Sequence, residues 1–403
     1  MAHNNSHSGV SRNDDIPFAR PFIGVEEEEA VIRVLRSGWL TTGIEALNFE
    51  KEFAAFLKSP PILSGGDIYC LAVNSATSGL HLALEACGVD SGDAVLVPSC
   101  TFTATAEVVR YLGADPVFVD VSPGTFHIDP VALEQTLKRL PPEKAKAVIP
   151  VHYGGLSCDM KAIMDIARRW NLKVIEDAAH AFPSAFAGTF GDIGVFSFYA
   201  TKTITTGEGG MIVCHDEALA RRISVMRSHG IDRTVWNRYS DARASWYYEV
   251  VEAGYKYNLP DLLAAIGRVQ LTRAWNLQRM REEIAAAYDS AFSGNECLLL
   301  PPTGPGDARH LYPLRLNPQR LKISRDEFIV KLKEAGIGVS VHFIPLHTMP
   351  FYKNRYHLTE NDFPETIQSC RQEISLPIWP GMTTAQINRV IEAVLSISKN
   401  FAV

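Results

Sequence analysis

The sequence predicts an α/β protein, with a large domain built on a mostly parallel central sheet followed by a smaller C-terminal α+β domain. Three observations predict it. From about Cys70 to Cys214, short apolar runs alternate with amphipathic helical patterns, as expected of βαβ units whose strands are buried on both faces. Beyond Pro260 the pattern becomes a long helical stretch, and a strand–helix–strand pattern follows a Pro/Gly-rich segment. The length of 403 residues exceeds one small core and fits two or three domains of roughly 100–200 residues. We expect a polar tail over 1–15, a large domain over 16–275 and a small domain over 276–403.

Glu26 to Gly38 puts Ala30, Val31, Val34 and Leu35 on one helical face, with acids in the first turn and a glycine at the stop. The apolar runs Leu71–Val73, Ala94–Val97, Pro116–Val121, Ala145–Val151, Leu172–Asp177, Val195–Phe198 and Met211–Cys214 read as strands, with helices such as Ala76–Cys87 and Asp159–Trp170 between them. Asp261 to Phe292 reads as one long connecting helix, after which Pro301 to Gly306 breaks the pattern. His310–Leu316, Ser324–Ala335 and Gly338–Phe343 then read as strand, helix and strand, the helix opening on a Ser324/Glu327 capping box.

Composition excludes several classes. A formal charge of -6, from 39 basic and 45 acidic residues, offers no long-range attraction for nucleic acid or anionic lipid. The seven cysteines contain no closely spaced pair, so neither a disulfide framework nor a metal site is signalled. No apolar run approaches the ~20 residues of a membrane helix, and Met1 to Asp15 lacks the apolar core of a signal peptide. A cytoplasmic location is the expectation.

Four segments carry chemistry. In Phe196-Ser-Phe-Tyr-Ala-Thr-Lys202, followed by glycines 207, 209 and 210, a lysine lies between an apolar strand and a glycine-rich turn. Such a lysine is either a solvated surface residue or a desolvated amine that forms a Schiff base. Val174-Ile-Glu-Asp177 ends a strand on acids, at the carboxyl edge of a parallel sheet where ligands collect. Asp177 either caps a helix or keeps a pyridine nitrogen protonated. His180, three residues on, either reaches a ring oxygen or packs. Asn74 to Leu82 joins a strand to a helix through Thr77 and Ser78, which suits a phosphate and equally suits a plain helix cap. Phe102, after the strand Ala94–Val97, either packs in the core or stacks on a planar ring. Together a lysine, an acid, an aromatic and a phosphate turn specify pyridoxal 5′-phosphate (PLP) chemistry.

At these residues the chain resembles the DegT/DnrJ/EryC1/StrS sugar aminotransferases, within the aspartate-aminotransferase-like PLP enzymes, and the likeness runs from Pro17 and Ser37–Gly43 to Ser375–Pro377. The resemblance implies Lys202 as the Schiff-base residue and proton shuttle, Asp177 as partner of the ring nitrogen and His180 beside the ring hydroxyl. It implies Thr77, Ser78 and Ser197 at the phosphate, Phe102 on the ring, and Asn258, in Gly254–Leu259, reaching the phosphate of a second subunit in a homodimer with shared sites. It also implies substrate contacts at Thr41, Tyr199 and His342. In these regions the chain is most similar to enzymes that aminate position 4 of a nucleotide-linked keto-sugar, including the UDP-4-amino-4-deoxy-L-arabinose type. The reaction so implied takes L-glutamate to 2-oxoglutarate through pyridoxamine phosphate, with no metal. Two departures are the longer connection Pro60–Ile68 and Tyr199, where relatives carry histidine. A sugar dehydratase on the same fold is disfavoured because Lys202 is present. A silent nucleotide-sugar-binding regulator is disfavoured because Lys202 and Asp177 are present together.

Overall fold

Two helices, α1 (Val25–Ser37) and α2 (Ile44–Lys58), precede the first strand in a computed structural model that describes residues 14–59, 66–184, 186–232 and 247–403. Most of the tail and residues 60–65 of the long connection therefore lie outside the described residues. α1 ends at Gly38 in the left-handed region, at φ 75°, where glycine meets no Cβ penalty. Of the face expected to be buried, Ala30 and Val34 are buried, Val31 is partly buried and Leu35 is exposed. The reason is that only the Ala30/Val34 side meets Ala265 of a later helix.

Strands and helices then alternate as β1 (Tyr69–Val73), α3 (Ala76–Ala86), β2 (Ala94–Pro98), α4 (Thr103–Tyr111), β3 (Asp115–Val119), α5 (Pro130–Leu137), β4 (Ala145–Val148), α6 (Met160–Trp170) and β5 (Lys173–Asp177). β6 (Ile193–Ser197), β7 (Gly210–Cys214) and α7 (Glu217–Met226) complete this part. The seven strands form one sheet in the order β1-β7-β6-β5-β4-β2-β3. β3, β2, β4, β5 and β6 run parallel, and β7 is antiparallel to both β6 and β1. The link from β6 to β7 contains no helix to carry the chain across a face of the sheet, so it returns antiparallel. That link carries Lys202.

The link is anchored by aromatic packing. Phe198, fully buried, follows β6 directly, with its ring 5.3 Å from Phe49 and 5.8 Å from Phe53. Truncating such a ring costs about 3–5 kcal/mol, so the same contacts that stabilise the core also fix where the chain leaves β6.

The long helix expected over 261–292 is two helices, α8 (Asp261–Thr272) and α9 (Ala274–Phe292), with Arg273 between them at φ −106° and ψ 3°. The bend turns the Arg273 guanidinium onto Glu27 of α1. After α9 come β8 (Leu298–Leu299), β9 (Tyr312–Leu316), α10 (Arg325–Glu334), α11 (Pro350–Tyr356), α12 (Pro364–Gln372), β10 (Glu373–Leu376) and α13 (Thr384–Asn400). A three-stranded antiparallel sheet, β10-β9-β8, organises this part. The Ser324/Glu327 capping box is present at α10.

Gly338–Phe343, expected as a strand, is not one. It makes a single antiparallel bridge, Ser340 to Ser375. Two residues on, the His342 amide donates to Glu373 Oε2 at 2.9 Å, so a side-chain carboxylate takes the place of a ladder carbonyl and pairing stops.

Candidate active site

The carboxyl ends of β5 and β6 open on a cavity of about 440 Å³, within the ~300–1,000 Å³ of small-molecule sites. Thr77, Phe102, Asp177, His180, Ser197, Tyr199, Lys202 and His342 line it. The sequence therefore brings eight of its eleven candidates to one place.

Asp177 ends β5, buried. Its Oδ2 accepts the Thr105 hydroxyl at 2.8 Å and its Oδ1 accepts the Ala179 amide at 3.2 Å. Burial pushes its carboxyl up, and the Thr105 hydroxyl, the Ala179 amide and the Lys202 charge oppose that. His180 is fixed by its other side. The Gly154 amide donates to its Nδ1 at 3.2 Å, which assigns the proton of the neutral ring to Nε2. Burial, Lys202 and His342 hold that ring well below the usual histidine range.

Lys202 sits on a turn whose far end needs glycine twice. Tyr199 bridges to Gly207, at φ 82°, and a Cβ on Gly210 would lie 2.8 Å from the Ala76 amide. Glycine there lets the first turn of α3 close on the strand. Burial pulls the Lys202 amine down from 10.5 to about 7, Asp177 resists this and Arg281 adds to it. The amine lies 3.4 Å from Nε2 of His310.

The α3 amino terminus carries Ser75, Ala76 and Thr77 to the cavity wall, where free amides and the helix dipole suit a phosphate. Ser78 is turned away. Its hydroxyl donates to Asn74 Oδ1 and to the Ser75 carbonyl, both at 2.8 Å, so it shapes the turn and does not line the cavity. Phe102 is 56% exposed on the cavity wall, against the core-packing alternative. Thr41 and Asn258 do not line this cavity. Thr41 is exposed, and Asn258 donates to Thr42 Oγ1 at 2.6 Å.

A model of the DegT/DnrJ/EryC1/StrS aminotransferase family matches residues 21–395. The chain belongs to that family. This aminotransferase is 44% identical over 396 residues to the spore coat polysaccharide biosynthesis protein SpsC of Bacillus subtilis, covering 96% of this chain and 98% of the relative. Among solved structures it is similar to the PMP-form of a sugar aminotransferase, Spr1654 of Streptococcus pneumoniae, with a TM-score of 0.86, 30% identity and coverage of 96% of this chain and 100% of that one. It is equally similar in fold to Helicobacter pylori PseC, an aminotransferase involved in pseudoaminic acid biosynthesis, with a TM-score of 0.86, 28% identity and the same coverages.

Sequence reasoning missed His310, Arg281 and Thr105 in this aminotransferase. Arg281 had a signal: it falls on the buried face of α9 with Leu277, Ile284 and Tyr288. It donates to the carbonyls of Ile378 at 2.6 Å and His310 at 3.0 Å. His310 was read only as the start of a strand, and nothing local marks it as facing a lysine over a hundred residues earlier. Thr105 lies in the first turn of α4 and becomes legible only once β5 is placed beside it.

Proposed function

We propose that the chain transfers the amino group of L-glutamate to a nucleotide-linked keto-sugar, at position 4, using PLP held in this cavity. The observation that carries the reading is the Lys202 amine, desolvated to about 7 and set beside Asp177 and His180 on a cavity of about 440 Å³. The donor set fits the cofactor. Lys202 offers a nucleophilic amine, Asp177 an anion for a ring nitrogen, His180 an Nε2–H for a ring oxygen, Phe102 an aromatic face, and the α3 turn with Ser197 offers donors for a phosphate. PLP supplies a carbonyl that condenses with amines and a ring that draws off electrons.

The chain's own residues do the rest. Lys202 Nζ, lowered to about 7 and so substantially neutral near neutral pH, would act as the shuttle in each half-reaction, taking a proton from one carbon and giving it to another before the next half begins. Neutral His310 accepts from that amine and keeps it aimed. The Thr105 hydroxyl holds Asp177 in its anionic form. Tyr199, Thr41 and His342 are assigned to the sugar. The nucleotide end supplies binding energy away from the reacting carbon.

The names of relatives support a sugar substrate. We further propose a cytoplasmic homodimer with shared sites: Tyr199, on the cavity wall, is 48% exposed, while Asn258 does not line the cavity of its own chain. Among the described residues no helix is long and apolar enough to cross a membrane. The test is to incubate the purified chain with glutamate and a panel of UDP-, dTDP- and GDP-linked keto-sugars and to measure 2-oxoglutarate. If no keto-sugar yields it, the reading fails.

A further inference from the structure

Behind His342 lies a chain of polar groups that the mechanism above does not use. His342 Nδ1 is 2.8 Å from Ser375 Oγ, and Ser375 Oγ is in turn bonded to Glu373 Oε1. The second carboxyl oxygen of Glu373 accepts the His342 amide at 2.9 Å. Glu373 and Ser375 are fully buried, yet they abut a residue of the cavity wall. With Nδ1 held from behind, Nε2 is the ring's free polar edge, and it makes no hydrogen bond among the described residues.

This row has two complete hydrogen-bonding arrangements. In one, Glu373 is protonated and donates to Ser375, Ser375 donates to Nδ1, and Nε2 carries a hydrogen. In the other, Ser375 donates to the carboxylate, Nδ1–H donates to Ser375, and Nε2 presents a lone pair. Passing from the first to the second releases one proton from Nε2, moves one from Ser375 to Nδ1 and moves one from Glu373 to Ser375. The imidazole is neutral in both.

We propose that Glu373 and Ser375 are positioning residues of a buried relay that sets the tautomer of His342, so that Nε2 delivers a proton to the substrate while Glu373 absorbs the change of charge. The inference rests on the reading that a keto-sugar occupies the cavity, because its carbonyl oxygen leaves as water and needs a proton there. A lone histidine could not do this cheaply: burial and the Lys202 charge pull His342 down to about 4. Glu373 is better suited to hold the proton. Burial pushes it up to about 8, against the Ser375 hydroxyl, the His342 amide and the Arg325 charge.

The other groups around Glu373 are the Tyr153 hydroxyl, pushed upward by burial, and the Cys370 thiol, pushed upward by its contact with Cys100 and by burial. Arg325 of α10 donates to the backbone carbonyl of Glu373 at 3.0 Å, and Arg315 is its register partner on β9. Arg325 is the cation that acts on the carboxyl.

The test is nitrogen NMR of the full-length chain with labelled histidine, over pH 6 to 9.5, for wild type, Glu373→Gln and Ser375→Ala. In wild type the His342 hydrogen should move from Nε2 to Nδ1 as Glu373 ionises near pH 8. Glu373→Gln should hold it on Nε2 throughout, because the amide donates as the protonated acid does. Ser375→Ala, which covers the case of a Glu373 variant that does not fold, should abolish the change with pH. In parallel, the sugar half-reaction of Glu373→Gln should slow at least tenfold and lose its pH limb near 8. A wild-type tautomer that ignores pH, or one that changes equally in the variants, overturns the relay. Because the tautomer is read without substrate, failure of the relay and failure of the keto-sugar reading are separate results.

Discussion

The Lys202 amine approaches Nε2 of His310 at 3.4 Å, and both groups are held away from their ordinary charged forms. Burial, Lys202 and His180 hold His310 well below the usual histidine range, so in the tautomer with its hydrogen on Nδ1 it accepts from the amine without competing for a full proton. Replacing it removes that guide and leaves the lysine in place. His310→Phe should lower kcat about 10–100-fold with the visible cofactor absorption retained and the KM for glutamate changed less than about twofold. Steady-state kinetics checks this, and an unchanged kcat would show that His310 only fills space.

A lysine amine attacks a carbonyl only when neutral. With Lys202 lowered from 10.5 to about 7 by burial, the apo-chain should capture PLP at a rate that falls tenfold per pH unit below about 7 and is level above it. Stopped-flow absorbance over pH 5 to 10 measures the profile. A midpoint near the ordinary lysine value would contradict the burial argument. In Lys202→Ala the visible band should be lost while the thermal transition is retained.

Thr105 donates to Asp177 at 2.8 Å. Thr105→Val deletes the donor, so burial raises the carboxyl further and the acid limb of kcat moves to higher pH. The rate at neutral pH should drop about tenfold and stability by about 1–3 kcal/mol, the cost of an orphaned buried acceptor. Asp177→Asn should cost at least about a hundredfold in kcat, as loss of a preorganised electrostatic partner does. A Thr105→Val profile that overlays wild type would sink the role given to this hydroxyl.

The shared-site proposal predicts complementation. Lys202→Ala and Asn258→Ala chains, each poorly active alone, should recover about a quarter of wild-type activity after mixing and subunit exchange, because half of the dimers carry one intact site of two. Sedimentation establishes the dimer, and the assay of the mixture reads the recovery. No recovery in verified mixed dimers would place Asn258 outside the partner's site.

Much of the fold was legible because the strands of a parallel sheet are apolar throughout and their helices are periodic. The Lys202 turn, Asp177 and the α3 turn were legible because each directly follows a strand, where chain direction alone sends residues to one edge. The break at Arg273 was not: no glycine or proline marks it, and the guanidinium there pairs with Glu27 far away in sequence. Gly338–Phe343 misled for the same reason: β-type residues stopped pairing because the Glu373 carboxylate took the His342 amide. Ser78 misled differently. Its side chain satisfies its own turn, an alternative that every serine near a helix start carries.

The antiparallel placement of β7 has a consequence for how the enzyme is made. β1 has β7 as its ladder partner, in a register that sets Val73 opposite Gly210. A nascent chain released only through β6 leaves that strand unpaired and the Asn74–Thr77 turn without its neighbour. Addition of the last central strand joins the amine-bearing turn to the α3 turn in one event. A chain that ends before β7 therefore lacks the strand that holds these two turns together, although every residue of both turns has already been made.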